Sequence, residues 1–173
     1  MPDFLPFINP ATGEQFGQVE MATEEQARCA RRELGKVAPE WAATPVRERV
    51  RLLRQFQRVM IDATDEITAV LNKDCGKSRQ DGLVEVFLTV NVLDDYCKHA
   101  ARWLAPRSVS SGLYVFKRSY VEAHPYGTVL VIAPWNYPFA LSMPPLLGAL
   151  LAGNTVLLKP SEVAGATGVL MEQ

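Results

Sequence analysis

The chain has 173 residues, 48% hydrophobic and 21% charged, with 18 basic and 19 acidic side chains for a net charge of −1. That length holds a domain with its own core. The near-neutral balance argues against nucleic-acid partners or an anionic membrane surface.

The opening Met-Pro-Asp-Phe has neither a basic n-region nor a long apolar h-region, so no secretory signal is expected. Phe4–Ile8 and Gln15–Val19 flank Asn9-Pro10-Ala11-Thr12-Gly13. Strong turn chemistry between two apolar runs predicts a hairpin. Thr23 with Gln26 forms a capping box that opens a helix toward Trp41. Thr44 before Pro45 marks a second start, N-cap then N1. Val46, Val50, Leu53, Phe56 and Met60 then recur at helical spacing, and the arginines between 47 and 58 read as a solvated face. A further helix runs through Ile67, Val70 and Leu71 and stops at Gly76.

Ser78 begins the next helix, predicted to point Val84, Phe87, Leu88, Asn91 and Trp103 inward. Arg107–Gly112 reads as a polar break. Tyr114–Phe116 and Tyr120–Ala123 read as an antiparallel pair joined around Lys117-Arg118-Ser119. Pro125-Tyr126-Gly127 turns the chain into an apolar strand, Val129–Ile132. A loop, an apolar helix and a second strand ending at Lys159 follow.

Thr128–Leu158 contains no Asp, Glu, Lys or Arg, a run long enough by count to span a bilayer. Pro134, Pro138, Pro144-Pro145 and Gly153-Asn154 cut it into strand, turn, helix and strand, so a buried parallel sheet is the better reading. A β-α-β unit there places two parallel strands side by side. Two such strands do not make a stable sheet alone, so the pattern resembles a larger fold that has been cut.

Two stretches carry candidate chemistry. Asn136 stands just past the first parallel strand, where its NH₂ can donate to a developing oxyanion; Asn is equally a turn and cap former. Lys159 and Glu162 follow the second strand. Lys can reach a ribose hydroxyl or a phosphate, and Glu can accept from two ribose hydroxyls while disfavouring a 2′-phosphate. Ser161 and Glu162 also suit a plain helix N-terminus.

Other features carry little. Gly76-Lys77-Ser78 lacks the earlier glycine and the preceding strand of a P-loop, the earlier position being Leu71. Cys29, Cys75 and Cys97 form no Cys-x-x-Cys pair and fit a reduced, cytoplasmic setting. Cys75 has no histidine near it in sequence and reads as structural. His99 and His124 lack metal-ligand spacing. Asp94 and Asp95 are successive helical positions and face different ways.

Pro134-Trp135-Asn136-Tyr137-Pro138, followed by Gly153-Asn154-Thr155-Val156-Leu157-Leu158-Lys159-Pro160-Ser161-Glu162, resembles the aldehyde dehydrogenase superfamily. Asn9-Pro10-Ala11-Thr12-Gly13-Glu14 is similar to its N-terminal turn. The resemblance implies an α/β fold in which helices and strands lead into the first β-α-β of an incomplete Rossmann-like parallel sheet. It divides the chain into a hairpin and helical region (1–106), bridging strands used in subunit assembly (107–124), and the start of an NAD(P)-binding fold (125–173). Asn136 becomes the oxyanion donor. Ile132, Ala133, Pro134 and Trp135 line the cofactor, and Lys159, Ser161 and Glu162 lie at its adenine-side ribose, with NAD favoured and NADP possible.

The implied parent is an oligomeric, cytoplasmic enzyme. It oxidises an aldehyde to an acid through a cysteine thiohemiacetal. Its nucleophilic cysteine and general-base glutamate lie further along the family's chain, so the 173 residues by themselves are expected to be inactive. The alternatives are a naturally short, non-catalytic protein that docks on a partner chain, and one half of a split dehydrogenase.

Overall fold

A computed structural model describes residues 3–173. β1 (Phe4–Ile8) and β2 (Gln15–Glu20) pair antiparallel, as the turn chemistry predicts. α1 (Glu24–Ala43) opens on the Thr23–Gln26 capping box, with both reciprocal bonds present. α2 (Val46–Asp62), α3 (Thr64–Cys75) and α4 (Arg79–Trp103) follow. α3 ends at Gly76, whose φ of 68° is left-handed and suits a residue without Cβ. Ser78 caps α4 by accepting from the Asp81 N–H.

Three local readings need correction. Thr44 is not the N-cap of α2. It is the C-cap of α1, its hydroxyl donates to Glu40 O, and Pro45 precedes the first residue of α2. The α4 stripe is predicted on the wrong face, two positions from the buried one. Val84, Phe87, Leu88, Asn91 and Trp103 are exposed, while Glu85, Val86, Thr89, Leu93, Cys97 and Ala100 face inward. The apolar count along α4 is high on both faces, so periodicity alone cannot choose between them. The antiparallel pair is β3 (Arg107–Val109) with β4 (Ser119–Val121). The supposed break at 107–109 is a strand, and Tyr114–Phe116 sits in the connecting turn.

β5 (Thr128–Ile132) and β6 (Thr155–Lys159) pair in parallel, Thr128 opposite Thr155 and Ile132 opposite Lys159, with α5 (Met143–Leu151) between them in sequence. A 3-10 turn at Glu162–Ala164 then leads to α6 (Gly165–Glu172). The core joins α2, α3 and α4 to α5 through Leu53, Met60, Leu71, Leu93 and Leu147, together with Phe139 from the loop after β5. Burying each such side chain contributes roughly 1.5–3 kcal/mol. The faces of β5 alternate with the two-residue period of a strand: Val131 and Ala133 are buried, Leu130 and Ile132 exposed. The face of β5 that carries Leu130 and Ile132 is open to solvent.

Candidate functional site

Parallel pairing brings the two informative motifs to one edge. The Ala133 N–H donates to Lys159 O at 3.0 Å, carrying the ladder one residue past β5. The loop bearing Trp135 and Asn136 therefore starts beside the residue that begins the Lys159–Glu162 segment. Ala133 is buried, whereas Ile132, Pro134, Trp135 and Asn136 are exposed. Polar groups at the carboxyl ends of parallel strands are where open α/β sheets bind ligands.

Beyond Asn136 the chain forms a tight turn into α5. Leu141 N–H donates to Tyr137 O at 2.9 Å and Met143 N–H to Phe139 O at 3.1 Å, while the Ser142 hydroxyl bonds Pro138 O. None of these bonds uses the Asn136 amide. The turn's leading N–H groups are held from outside: Glu85 Oε2 accepts from Phe139 N–H (3.1 Å) and Ala140 N–H (2.9 Å). Glu85 is fully buried on α4. The sequence reading missed it; a lone Glu among apolar residues of α4 is its only signal.

Lys159 Nζ lies 2.7 Å from Glu162 Oε2, and both side chains are exposed. The Lys159 hydrogen bond, followed by Glu162's own backbone N–H and the Lys159 charge, lowers the Glu162 pKa. Ser161 is buried, and its hydroxyl accepts from Val163 N–H at 3.2 Å. The cap reading of Ser161 thus holds together with a clustered Lys and Glu at the sheet's edge. An apolar groove of about 660 Å³ lies alongside, lined by Met21, Ala27, Leu130, Ile132 and Leu158 with Lys159 at its polar end.

Asn154, at the start of β6, locks the unit together. Its Oδ1 accepts from Tyr126 N–H (2.7 Å) and Gly127 N–H (3.1 Å), and its Nδ2 donates to Ala149 O (3.1 Å). The neighbouring Gly153 has φ 95°, and a Cβ there would sit 2.9 Å from Arg49 Nη1. Arg49 is itself buried. The solvated-face reading of the arginines fails at this position.

Cys75 lacks the chemistry of a nucleophile. Burial first, then the Asp74 and Glu85 charges, push its thiol up to about 11. Burial also raises the Cys97 pKa. Among the described residues no group of three or more His, Cys, Asp and Glu is placed to hold a metal ion. None of their helices is long and apolar enough to cross a membrane.

A parallel β-α-β unit with an amide-bearing loop and a Lys–Glu pair at its carboxyl edge defines an α/β protein of the open parallel-sheet class. The particular family is set by comparison: residues 2–173 match the aldehyde dehydrogenase family, and the chain belongs to it. It is 36% identical over 167 residues to a 4,4'-diapolycopene aldehyde oxidase of Methylomonas, covering 95% of this chain and 32% of that protein. It is 40% identical over 125 residues to aldehyde dehydrogenase family 3 member H1 of Arabidopsis thaliana, covering 71% of this chain and 26% of that one. Among solved structures, lactaldehyde dehydrogenase of Escherichia coli superposes with a TM-score of 0.91 at 29% identity, over 98% of this chain and 35% of that one. An NAD-dependent benzaldehyde dehydrogenase of Corynebacterium glutamicum gives 0.87 at 28% identity, over 96% of this chain and 36% of that one. The chain therefore spans about a third of these structures' length, and its incomplete Rossmann-like sheet matches the corresponding part of theirs.

Proposed function

We propose that this chain forms the N-terminal portion of an NAD(P)-dependent dehydrogenase that oxidises an aldehyde to a carboxylic acid. The observation that carries the reading is the Ala133–Lys159 ladder bond, which sets the Asn136 loop beside the Lys159–Glu162 segment. In this reading Asn136 donates its amide N–H to the oxygen that gains charge when a thiolate attacks the aldehyde carbon. One well-placed donor of this kind is worth roughly 10²–10³ in rate. The thiolate and the general base come from residues beyond this segment.

The edge suits a nicotinamide dinucleotide. An apolar floor (Leu130, Ile132) with a hydrogen-bonding pair at its rim matches a flat base attached to a sugar. Lys159 and Glu162 would hold the ribose hydroxyls, Ser161 would keep their turn in shape, and Ile132, Ala133, Pro134 and Trp135 would line the path toward the reacting carbon. The dinucleotide supplies the hydride acceptor. Glu162 leans the site toward NAD, because a carboxylate repels a 2′-phosphate. Residues 1–106 act as the hairpin and helical part of the cofactor domain, 107–124 as strands that join subunits into a homo-oligomer, and 125–173 as the first β-α-β of the cofactor fold.

The test is NAD and NADP binding and turnover by the complete protein carrying this segment. Glu162→Ser should raise NADP affinity relative to NAD, and Asn136→Ala should lower kcat by about 10²-fold with little change in NAD binding. Unchanged kcat in Asn136→Ala would remove its role.

A second reading is favoured by the open groove and the exposed Leu130 and Ile132. Here the chain is one half of a split dehydrogenase, or a short non-catalytic protein, and docks on a second chain through that surface. Recovery of activity on mixing with a separately made C-terminal chain would favour the split enzyme.

A further inference from the structure

We infer that Glu85 and Lys77 act as a positioning clamp for the turn that carries Asn136, an inference that rests on the oxyanion reading above. Glu85 has no exposed surface, and a carboxylate is costly to bury unless it is paired and hydrogen-bonded. Its Oε2 receives two backbone N–H groups, those of Phe139 and Ala140. Its Oε1 lies 3.0 Å from Lys77 Nζ, off the line of a good hydrogen bond, in an ion pair whose lysine is also largely covered. The same Nζ sits 4.1 Å from the centre of the Tyr137 ring. One acid and one base, from α4 and the loop before it, thus contact residues 137, 139 and 140, directly after Asn136.

Stability alone does not require this arrangement. Replacing a buried ion pair by apolar residues of similar volume is often neutral or stabilising. The N–H groups at 139 and 140 would also be served by a local Ser or Asp cap, which this turn lacks; Ser142, the N-cap of α5, makes no side-chain cap bond. The clamp instead ties an exposed, otherwise unanchored amide to a fully buried side chain of α4. An oxyanion donor lowers a barrier only if its N–H already points where charge develops, and misplacement by about 1 Å costs on the order of 10²-fold. Glu85 and Lys77 touch no reacting atom in this scheme; they act through Asn136.

The test compares Glu85→Ala, Glu85→Gln, Asn136→Ala and the Glu85→Ala/Asn136→Ala pair in the complete protein, with NAD and either propanal or benzaldehyde. Glu85→Ala should lower kcat per folded molecule by about 10- to 100-fold, with NAD affinity within about two-fold. Glu85→Gln keeps an acceptor oxygen for the two N–H groups and should recover most of that loss. Added to Asn136→Ala, Glu85→Ala should cost little more, because both act on one donor. A residue that only stabilises the fold would lower the melting temperature and leave kcat per folded molecule intact.

Hydrogen exchange supplies an arm that needs neither turnover nor the Ala variant. The Phe139 and Ala140 amides should exchange at least about ten-fold faster in Glu85→Met, which has no acceptor oxygen, and stay near the wild-type rate in Glu85→Gln; unchanged exchange in Glu85→Met overturns the clamp. If Asn136→Ala lowers kcat while folded Glu85 variants keep theirs, the clamp fails and the oxyanion reading stands. If Asn136→Ala keeps full kcat, the oxyanion reading fails and the clamp loses its catalytic purpose with it.

Discussion

The Arg49 guanidinium donates to the Leu151 carbonyl oxygen at 3.0 Å and so ties α2 to the last turn of α5. The same side chain donates to Ala42 O (3.2 Å) and Thr44 O (2.8 Å), serving carbonyls at the end of α1. The last carbonyls of a helix have no partner within it. One buried cation therefore closes two helices where they meet the parallel sheet. Replacing it by Met should destabilise the protein by about 3 kcal/mol, because several buried acceptors lose their donor together. A urea unfolding midpoint checks this; a shift corresponding to less than about 1 kcal/mol would show that water replaces the guanidinium.

Thiol labelling should rank the cysteines. Cys29 is exposed, Cys75 half-buried and Cys97 buried. With its pKa near 11, Cys75 is about one part in a thousand thiolate at pH 8. Iodoacetamide at that pH should modify Cys29 first and leave Cys75 and Cys97 largely intact until the protein unfolds. Rapid alkylation of Cys75 would contradict its inert role and reopen it as a nucleophile.

The Lys159–Glu162 pair sets a pH dependence of known sign. Folding lowers the Glu162 pKa, so the pair favours the folded state above the ordinary carboxylate range and loses that effect as pH falls through the lowered pKa. Both side chains are exposed, so the effect is small and screened by salt. The carboxyl NMR titration of Glu162 should have its midpoint below the usual range, and Lys159→Met should move it up. An unmoved midpoint would mean that Lys159 does not pair with it in solution.

The 173-residue chain, made by itself, should self-associate and should not reduce NAD in the presence of an aldehyde. Leu130 and Ile132 are exposed on the uncovered face of β5, and Val84 and Phe87 on α4. Leaving several large apolar side chains wet costs several kcal/mol at about 25 cal/mol per Å². Sedimentation velocity should show concentration-dependent species that Ile132→Lys reduces. A sharp monomer at all concentrations would contradict the first expectation, and steady NADH production the second.

Much of the architecture was legible locally. The Thr23–Gln26 box, the Gly76 stop and the Ser78 cap are each written in a few adjacent residues, because caps and turns are satisfied within about one helical turn; the parallel pair is written in the order strand, helix, strand. The α4 face was not legible, since apolar residues crowd both sides of that helix. The β3 strand was missed because three residues, Arg107-Ser108-Val109, are too few to show an alternation.

Sequence by itself determined the order of elements, the two motifs at the carboxyl edge and the family to which they point, since each depends on the identity and spacing of nearby residues. Only the tertiary structure decided that Glu85, 54 residues before Phe139, and Arg49, 102 before Leu151, close the site and its supports. A buried charge finds its partners through packing, and the distances along the chain contain no record of that choice.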